Sequence, residues 1–398
     1  MKRKRVLILG ASFSYIDSIK AARDMGCEVI VTDRNPQAPG LAFADIALSV
    51  DISDVAACVK AAKDYAIDGV VAVNDFGVPS AAHIGKELGL PGIPVEVAEI
   101  ATSKYLMRKV WAEKGVPSVG FRKTDGYDEF VRAVLDMHLP VIVKPCDSRG
   151  GGCRGIRQID AGADLKEAYA FATGYYNDES LIVEEFVTGL EHSLEVIVYG
   201  GKCHIIAVSD KVKSPLPYRV DDTILYPTIE PEGNMAAIQD AVERSVSAIG
   251  MTEGMAHVEL SMTERGPVLF ELGARCGGGA PAPLVPYLTG VDEFKEAVRM
   301  ALGEKPEHVK PLYTKGCVIK FFYPRPGIVT DVSGAERIQG MEGVLSFSLF
   351  VGPGDTVRPL RTCGDRAGMV ITGAKTRDEA LALANRVIDM VTIETRPA

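Results

Sequence analysis

The 398-residue chain is short of positive charge: 44 lysines and arginines stand against 53 aspartates and glutamates, a formal balance of −9. A duplex-binding surface shows a basic excess or basic blocks, and the only basic cluster here is Lys2-Arg3-Lys4-Arg5, so no nucleic-acid partner is expected. Long apolar runs are missing too. None approaches the roughly 18 residues of a membrane span, and Val6-Leu7-Ile8-Leu9 stops at Gly10, too short for a signal peptide. The expectation is a cytoplasmic chain without a membrane partner. The eight cysteines (27, 58, 146, 153, 203, 276, 317, 363) stand singly, with no C-x-x-C pair and no zinc spacing, as reduced thiols do. Internal repeats and low-complexity tracts are also absent.

What remains is an ordinary globular composition, 47% apolar and 24% charged, long enough for two or three domains. Arg5–Leu9 is an apolar run, Tyr15–Met25 carries Ile16, Ile19 and Ala22 at helical spacing, and Gly26 is placed to end that helix. Glu28–Thr32 predicts a strand, Val55–Tyr65 a helix, Gly69–Val73 a strand and Ser80–Leu88 a helix. Repeated βα units imply a doubly wound parallel α/β domain over residues 1–100. Gly10-Ala-Ser-Phe-Ser after the first strand, with Asp33 ending the second, invites a nicotinamide-dinucleotide reading. Ser12 and Tyr15, however, occupy the second and third glycine positions of G-x-G-x-x-G, so a helix N-terminus with a tight turn is the simpler account.

From about residue 101 the pattern changes. Ser103–Lys114 predicts a helix, Pro140–Lys144 and Leu181–Phe186 strands, Leu194–Tyr199 with His204–Ser209 a hairpin around Gly200-Gly201, and Asn234–Ile249 and Val291–Leu302 helices. Pro306–Pro311 is a plausible boundary before a β-rich domain, 306–398, ending in a helix over Arg377–Met390.

The most informative segment runs from His257 to Arg275. Val258, Leu260 and Met262 alternate with His257, Glu259 and Ser261, and Phe270 and Leu272 alternate with Leu269, Glu271 and Gly273, so one face is core and the other polar. A three-residue turn at Glu264-Arg265-Gly266 sets Thr263 opposite Pro267 and hence Glu259 opposite Glu271. Directly opposed like charges need a compensator, and a divalent cation that leaves ligand positions for phosphate oxygens is a natural one; a solvated sheet face is the alternative. Arg275 and the open backbone at Gly277, Gly278 and Gly279 add a planar cation suited to phosphoryl or carboxylate groups.

Arg149, Gly150, Gly151 and Gly152 open a loop that runs to Gly155, shortly after the strand ending in Lys144-Pro145. Small consecutive residues let backbone N–H groups close over phosphates, with Lys144 as a point charge; no Walker G-K-[ST] follows. Glu184-Glu185-Phe186-Val187 ends a strand whose free N–H and C=O could read an adenine edge between Phe186 and Val187, with Glu191 four residues on for ribose hydroxyls. Each piece alone is equally an ordinary turn or strand end.

Together, in order and spacing, these pieces resemble the ATP-grasp superfamily over roughly residues 1–305. The resemblance implies a two-lobed ATP-grasp domain at 101–305, with a small lobe at about 115–187 and a large lobe at about 188–305. It assigns ATP to Lys104, Lys144, the loop 149–152, Glu184, Glu185, Phe186, Val187 and Glu191. It assigns Mg²⁺ (or Mn²⁺), as two ions, to Glu259 and Glu271. Phe270-Glu271-Leu-Gly-Ala-Arg275-Cys-Gly-Gly-Gly and Gly368-Met-Val-Ile-Thr-Gly-Ala-Lys are similar to the carboxylate-amine ligase branch, which includes L-amino acid ligases and biotin-carboxylase-like proteins. Many members carry Asn two residues after the second metal glutamate; this chain has Gly273. The implied reaction joins a small carboxylate to an amine through an acyl phosphate, with Arg275 and Lys144 catalytic; an Arg275 paired with a nearby acid is the structural alternative. His257, Gly277, Gly278, Lys211 and Asn74 with Asp75 are weaker substrate-side candidates, His257 equally a base or a satisfied structural histidine, and a homodimer is compatible with the family. Competing readings are a bicarbonate-using carboxylase, a dehydrogenase on the first domain, and a non-catalytic ATP-binding regulator.

Overall fold

A computed structural model describes residues 2–147, 151–175, 179–278 and 284–397. The N-terminal part is a parallel sheet of β1 (Arg5–Leu9), β2 (Glu28–Thr32), β3 (Ile46–Leu48) and β4 (Gly69–Ala72) in the order β3-β2-β1-β4. β1 and β2 are short apolar runs of Val, Ile and Leu, buried except at their first residue, as the inner strands of a parallel sheet covered by helices require. The covers are α1 (Ile16–Asp24), α2 (Val55–Asp64) and α3 (Val78–Leu88). Because β2 and β4 flank β1, the loops after β1 and β4 open a crevice at the carboxyl ends of the strands. In the β1 loop a 3₁₀ turn, Phe13–Tyr15, replaces a glycine-rich bend, and the Asp33 carboxylate accepts the N–H of Ala11 at 3.0 Å. The acid that a dinucleotide fold would turn to a ribose is spent on the loop itself.

Helices α4 (Val95–Ala101) and α5 (Lys104–Glu113) lead into an antiparallel sheet of β5 (Phe121–Asp125), β6 (Val141–Pro145), β7 (Arg157–Ile159) and β8 (Ser180–Glu185). Ser103 caps α5 by accepting the Leu106 N–H, which places Lys104 in the first turn. Helices α6 (Tyr127–Asp136) and α7 (Leu165–Thr173) bury Phe130, Ala133, Ala168 and Ala172 against this sheet.

The larger sheet contains β9 (Leu190–Tyr199), β10 (Lys202–Lys213), β11 (Asp221–Tyr226), β12 (Gly254–Thr263) and β13 (Gly266–Gly273), backed by α8 (Glu232–Ala248). The expected hairpin around Gly200-Gly201 is present and longer than its apolar core suggested. The helix expected over Val291–Leu302 is α10 (Glu293–Ala301), started by Asp292, whose side chain accepts the Lys295 N–H, and a short α9 (Val285–Thr289) precedes it.

The C-terminal segment contributes β14 (Gly316–Phe322), β15 (Gly327–Ser333), β16 (Val344–Leu349), β17 (Thr356–Val357), β18 (Gly368–Ala374), α11 (Arg377–Met390) and β19 (Thr392–Arg396). A strand therefore follows the helix expected to be last. Three of these strands continue the large sheet, whose order is β13-β12-β9-β10-β11-β14-β18-β16, while β17-β15-β19 forms a separate small antiparallel sheet. The pairing of β11 with β14 carries the hydrogen-bond ladder across residues 306–311 rather than ending it there. Among the described residues no helix is long and apolar enough to cross a membrane.

Candidate active site

The β12–β13 hairpin turns more tightly than its sequence suggested. Thr263 pairs with Gly266, leaving the two residues Glu264-Arg265 in the turn. Continued without interruption, that register would put Glu271 opposite Val258, on the core face. The ladder instead slips by one residue at Glu259/Leu260, Phe270 becomes the extra residue of a β-bulge, and Glu259 pairs with Glu271. The bulge also exchanges two side chains: Leu269, expected on the polar face, is in the core, and Phe270, expected in the core, is half-buried.

The two carboxylates are each closed by an ammonium group. Lys211 Nζ is ion-paired with Glu259, and Lys104 Nζ lies 3.0 Å from Glu271 Oε1. Burial favours the protonated acids, but these lysines overcome it and hold both carboxyls below the usual carboxylate range. Two ionised, opposed oxygen donors already matched to positive charge suit Mg²⁺. Among the described residues no cluster of three His, Cys, Asp or Glu side chains closes a cage. Further ligands would therefore be substrate oxygens or water, the usual Mg²⁺ arrangement.

Lys144 and Glu184 form a buried pair at 2.6 Å, and Arg108 Nε lies 2.8 Å from the other oxygen of Glu184. Burial pulls the Lys144 ammonium down, with Glu184 opposing. Glu185 is turned the other way, accepting from Arg265 at 2.7 Å and from the Gly120 N–H at 3.3 Å. Phe186 lies beneath the Arg219 guanidinium, 5.5 Å from ring centre to carbon, and with Val187 leads out of β8. Gly189 follows because any Cβ there would run into the Met262 carbonyl. Glu191 is held by Arg219 and, at 2.9 Å, by Lys213, which also pairs with Asp221 at 2.7 Å. Of the phosphate loop, Arg149 and Gly150 lie outside the described residues, as does Gly279 after Arg275. Gly151 and Gly152 are in left-handed conformation, and the Gly152 carbonyl accepts the N–H of Cys363 from the C-terminal segment at 3.0 Å.

Arg275 is gripped by Asp75, at 3.0 Å to Nε and 2.7 Å to Nη2, so the loop after β4 meets the ligand face of the large sheet. Gly273 sits beneath this pair: a Cβ would stand 3.1 Å from the Arg275 guanidinium carbon and 3.2 Å from Asp75 Oδ1. The space an asparagine would fill is thus taken by the Arg275–Asp75 bridge. Asp75, rather than Asn74, makes this contact; Asn74 accepts the Gly77 N–H and shapes the turn before α3.

His257 is paired with Glu195. Burial lowers its pKa, but Glu195, 2.8 Å from Nδ1, outweighs burial and raises it to about 9, so the ring is charged at neutral pH. The other oxygen of Glu195 accepts the Gly277 N–H at 2.9 Å, and a Cβ on Gly277 would collide with that carboxylate. Gly278 has open space around it. Lys211 serves as the counter-charge of Glu259. Sequence reasoning missed Arg108, Asp221 and Glu195, each ordinary in its local pattern.

Opposed acids with lysines and an arginine converging on them are the kind of arrangement that phosphoryl transfer uses. Family models match in the same order: an ATP-grasp N-terminal domain at 19–92, an ATP-grasp domain at 137–282 and the L-amino acid ligase C-terminal domain 2 at 320–396. The chain belongs to the ATP-grasp superfamily, in its ATP-dependent carboxylate-amine ligase branch. It is 23% identical to dapdiamide A synthase of Enterobacter agglomerans, over 83% of this chain and 80% of that protein. It is 25% identical to mouse (Mus musculus) carnosine synthase 1, over 77% of this chain but only 40% of that longer protein. Among solved structures, the L-amino acid ligase of Bacillus licheniformis shares the fold with a TM-score of 0.81 at 20% identity, covering all of both chains.

Proposed function

We propose that this ligase joins an amino acid, through its carboxylate, to a second amine-bearing small molecule by way of an acyl phosphate. The observation that carries the proposal is the facing pair Glu259 and Glu271 with Lys104, Lys144, Lys211 and Arg275 around it. A carboxylate oxygen of the first substrate attacks the γ-phosphorus of ATP, and the bond to the bridging β–γ oxygen breaks to release ADP. The amine nitrogen then attacks the acyl carbon, the carbon–oxygen bond to phosphate breaks, and the amine proton leaves with phosphate or water.

In this reading Lys104 and Lys144 turn from Glu271 and Glu184 to the phosphates, the backbone at Gly151 and Gly152 lies over them, and Glu184 to Val187 and Glu191 hold adenine and ribose. Mg²⁺ at Glu259 and Glu271 would supply charge neutralisation along the phosphates. Arg275, already fixed by Asp75, faces the acyl phosphate and the oxyanion that follows it. Gly278 offers open backbone to the substrate, while Gly277 is tied to Glu195. The eight free cysteines support a reducing, cytoplasmic setting. A homodimer belongs to the same reading, since the biotin carboxylase domain of Hydrogenobacter thermophilus 2-oxoglutarate carboxylase, of this fold, is a dimer.

The test is Mg²⁺-dependent release of ADP and phosphate across amino acids and other carboxylates offered singly and in pairs, with products weighed by mass spectrometry. Release requiring two substrates and yielding their amide supports the proposal. Release with bicarbonate would point to a carboxylase, and ATP binding without release under any pairing to a regulator.

A further inference from the structure

The bulge at Phe270 decides whether Glu271 faces Glu259 or the core, and bulges leave a backbone group out of the ladder. Here that group is the Phe270 carbonyl, and Arg108 Nη2 donates to it. Arg108 has no exposed surface at all, and its guanidinium lies 5.3 Å from the ring of Trp111. Its Nε faces Glu184 Oε1 at 2.8 Å. Lys104, one turn earlier on α5, reaches Glu271, the residue after the bulge. One helix face therefore holds both the carboxylate and the irregular backbone that aims it.

We infer that Arg108 is a positioning residue: by bridging Glu184 on β8 and the Phe270 carbonyl on β13, it holds the bulge that keeps Glu271 opposite Glu259. The inference rests on the proposed metal role of those glutamates. The planar fork of arginine is needed because an ion-pair partner on one strand and a carbonyl acceptor on another must be met at once; a lysine offers a single point. The fully buried Arg108 cation lies against Glu184, and burial together with the Arg108 charge pulls down the Lys144 ammonium that shares that carboxylate. Arg108 touches neither the metal position nor the reacting atoms, so its effect passes through Glu271.

The experiment measures ADP affinity calorimetrically, with and without Mg²⁺, in wild type, Arg108→Lys and Arg108→Gln. Wild type should bind ADP more tightly with Mg²⁺. Arg108→Lys, which keeps the buried charge beside Glu184, should retain its thermal midpoint to within a few degrees. It should also keep its metal-free ADP affinity within about threefold while losing at least about tenfold of the Mg²⁺ enhancement. Arg108→Gln should lose the enhancement as well; if it does not fold, Arg108→Lys carries the test alone. Wild-type enhancement in Arg108→Lys overturns the inference, and so does an equal weakening of ADP with and without metal, which would mark a general loosening. Absence of any Mg²⁺ enhancement in wild type overturns the metal reading of Glu259 and Glu271 itself, a separate result.

Discussion

Asp75 and Arg275, 200 positions apart in sequence, meet through both carboxylate oxygens and two guanidinium nitrogens. Their side chains are only 11% and 14% exposed, so each charge depends on the other. The N-terminal parallel sheet thereby fixes the cation that faces the proposed acyl phosphate. Asp75→Asn should lower amide formation by on the order of tenfold to a hundredfold through a misaimed guanidinium. Amide formed per ADP released is the quantity to follow; an undiminished yield would show that Arg275 acts without its partner.

Glu271→Gln keeps the shape of the side chain and removes one of two opposed charges. Turnover should fall by about a hundredfold or more. The thermal midpoint should move little, because relief of like-charge opposition offsets the lost Lys104 pair. ADP release at limiting Mg²⁺ is the assay, and wild-type turnover there would remove Glu271 from the metal site.

Asp210 is fully buried, and its environment is set by His192, Thr228 and Arg377. Burial raises its pKa, but these hydrogen bonds and the Arg377 charge lower it to about 2. The folded value lies below the unfolded one of about 3.9, so this carboxylate contributes stability above about pH 4 that is lost as pH falls towards 2. Arg377→Met should cost about 3 kcal/mol at pH 7, and the deficit should shrink as pH is lowered from 4 towards 2. Urea unfolding at pH 7 and pH 3 measures both; a deficit independent of pH would mean Arg377 stabilises by packing alone.

Cys153 Sγ and Cys363 Sγ lie 3.7 Å apart. The Cys153 hydrogen bond pulls the Cys363 thiol below its usual range, making it the better nucleophile. Hydrogen peroxide should join the two, the thiols giving up two hydrogens as the peroxide leaves as water. Cross-linked peptides should appear in a digest made without reductant, and ADP release should slow until reductant is added. Persistence of the inhibition in Cys363→Ser would assign it to another thiol.

The strands Arg5–Leu9 and Glu28–Thr32 and the helix Arg377–Met390 were legible to the residue, because local periodicity and punctuation dictate them. The opposition of Glu259 and Glu271 was legible only through an incorrect turn: a three-residue loop without a bulge and a two-residue loop with one give the same pairing. Nothing in Phe270-Glu271-Leu272 announces the slip, since its stabilising partner, Arg108, lies 162 positions away. Whether His257 was a base or a satisfied structural histidine stayed open in the sequence, because its partner Glu195 comes from a neighbouring strand. Side chains whose partners are distant in sequence leave no periodic trace.

The shared ladder of β11 and β14 also bears on how this enzyme can be divided. A fragment ending near residue 310 would leave β11 as a bare sheet edge, its row of unpaired N–H and C=O groups free to recruit the same edge of another copy. It would also strip Arg377 from Asp210 and Cys363 from Gly152. Such a fragment should self-associate rather than work in isolation, so exchange of C-terminal segments between related ligases would succeed only where the incoming strand restores that seam.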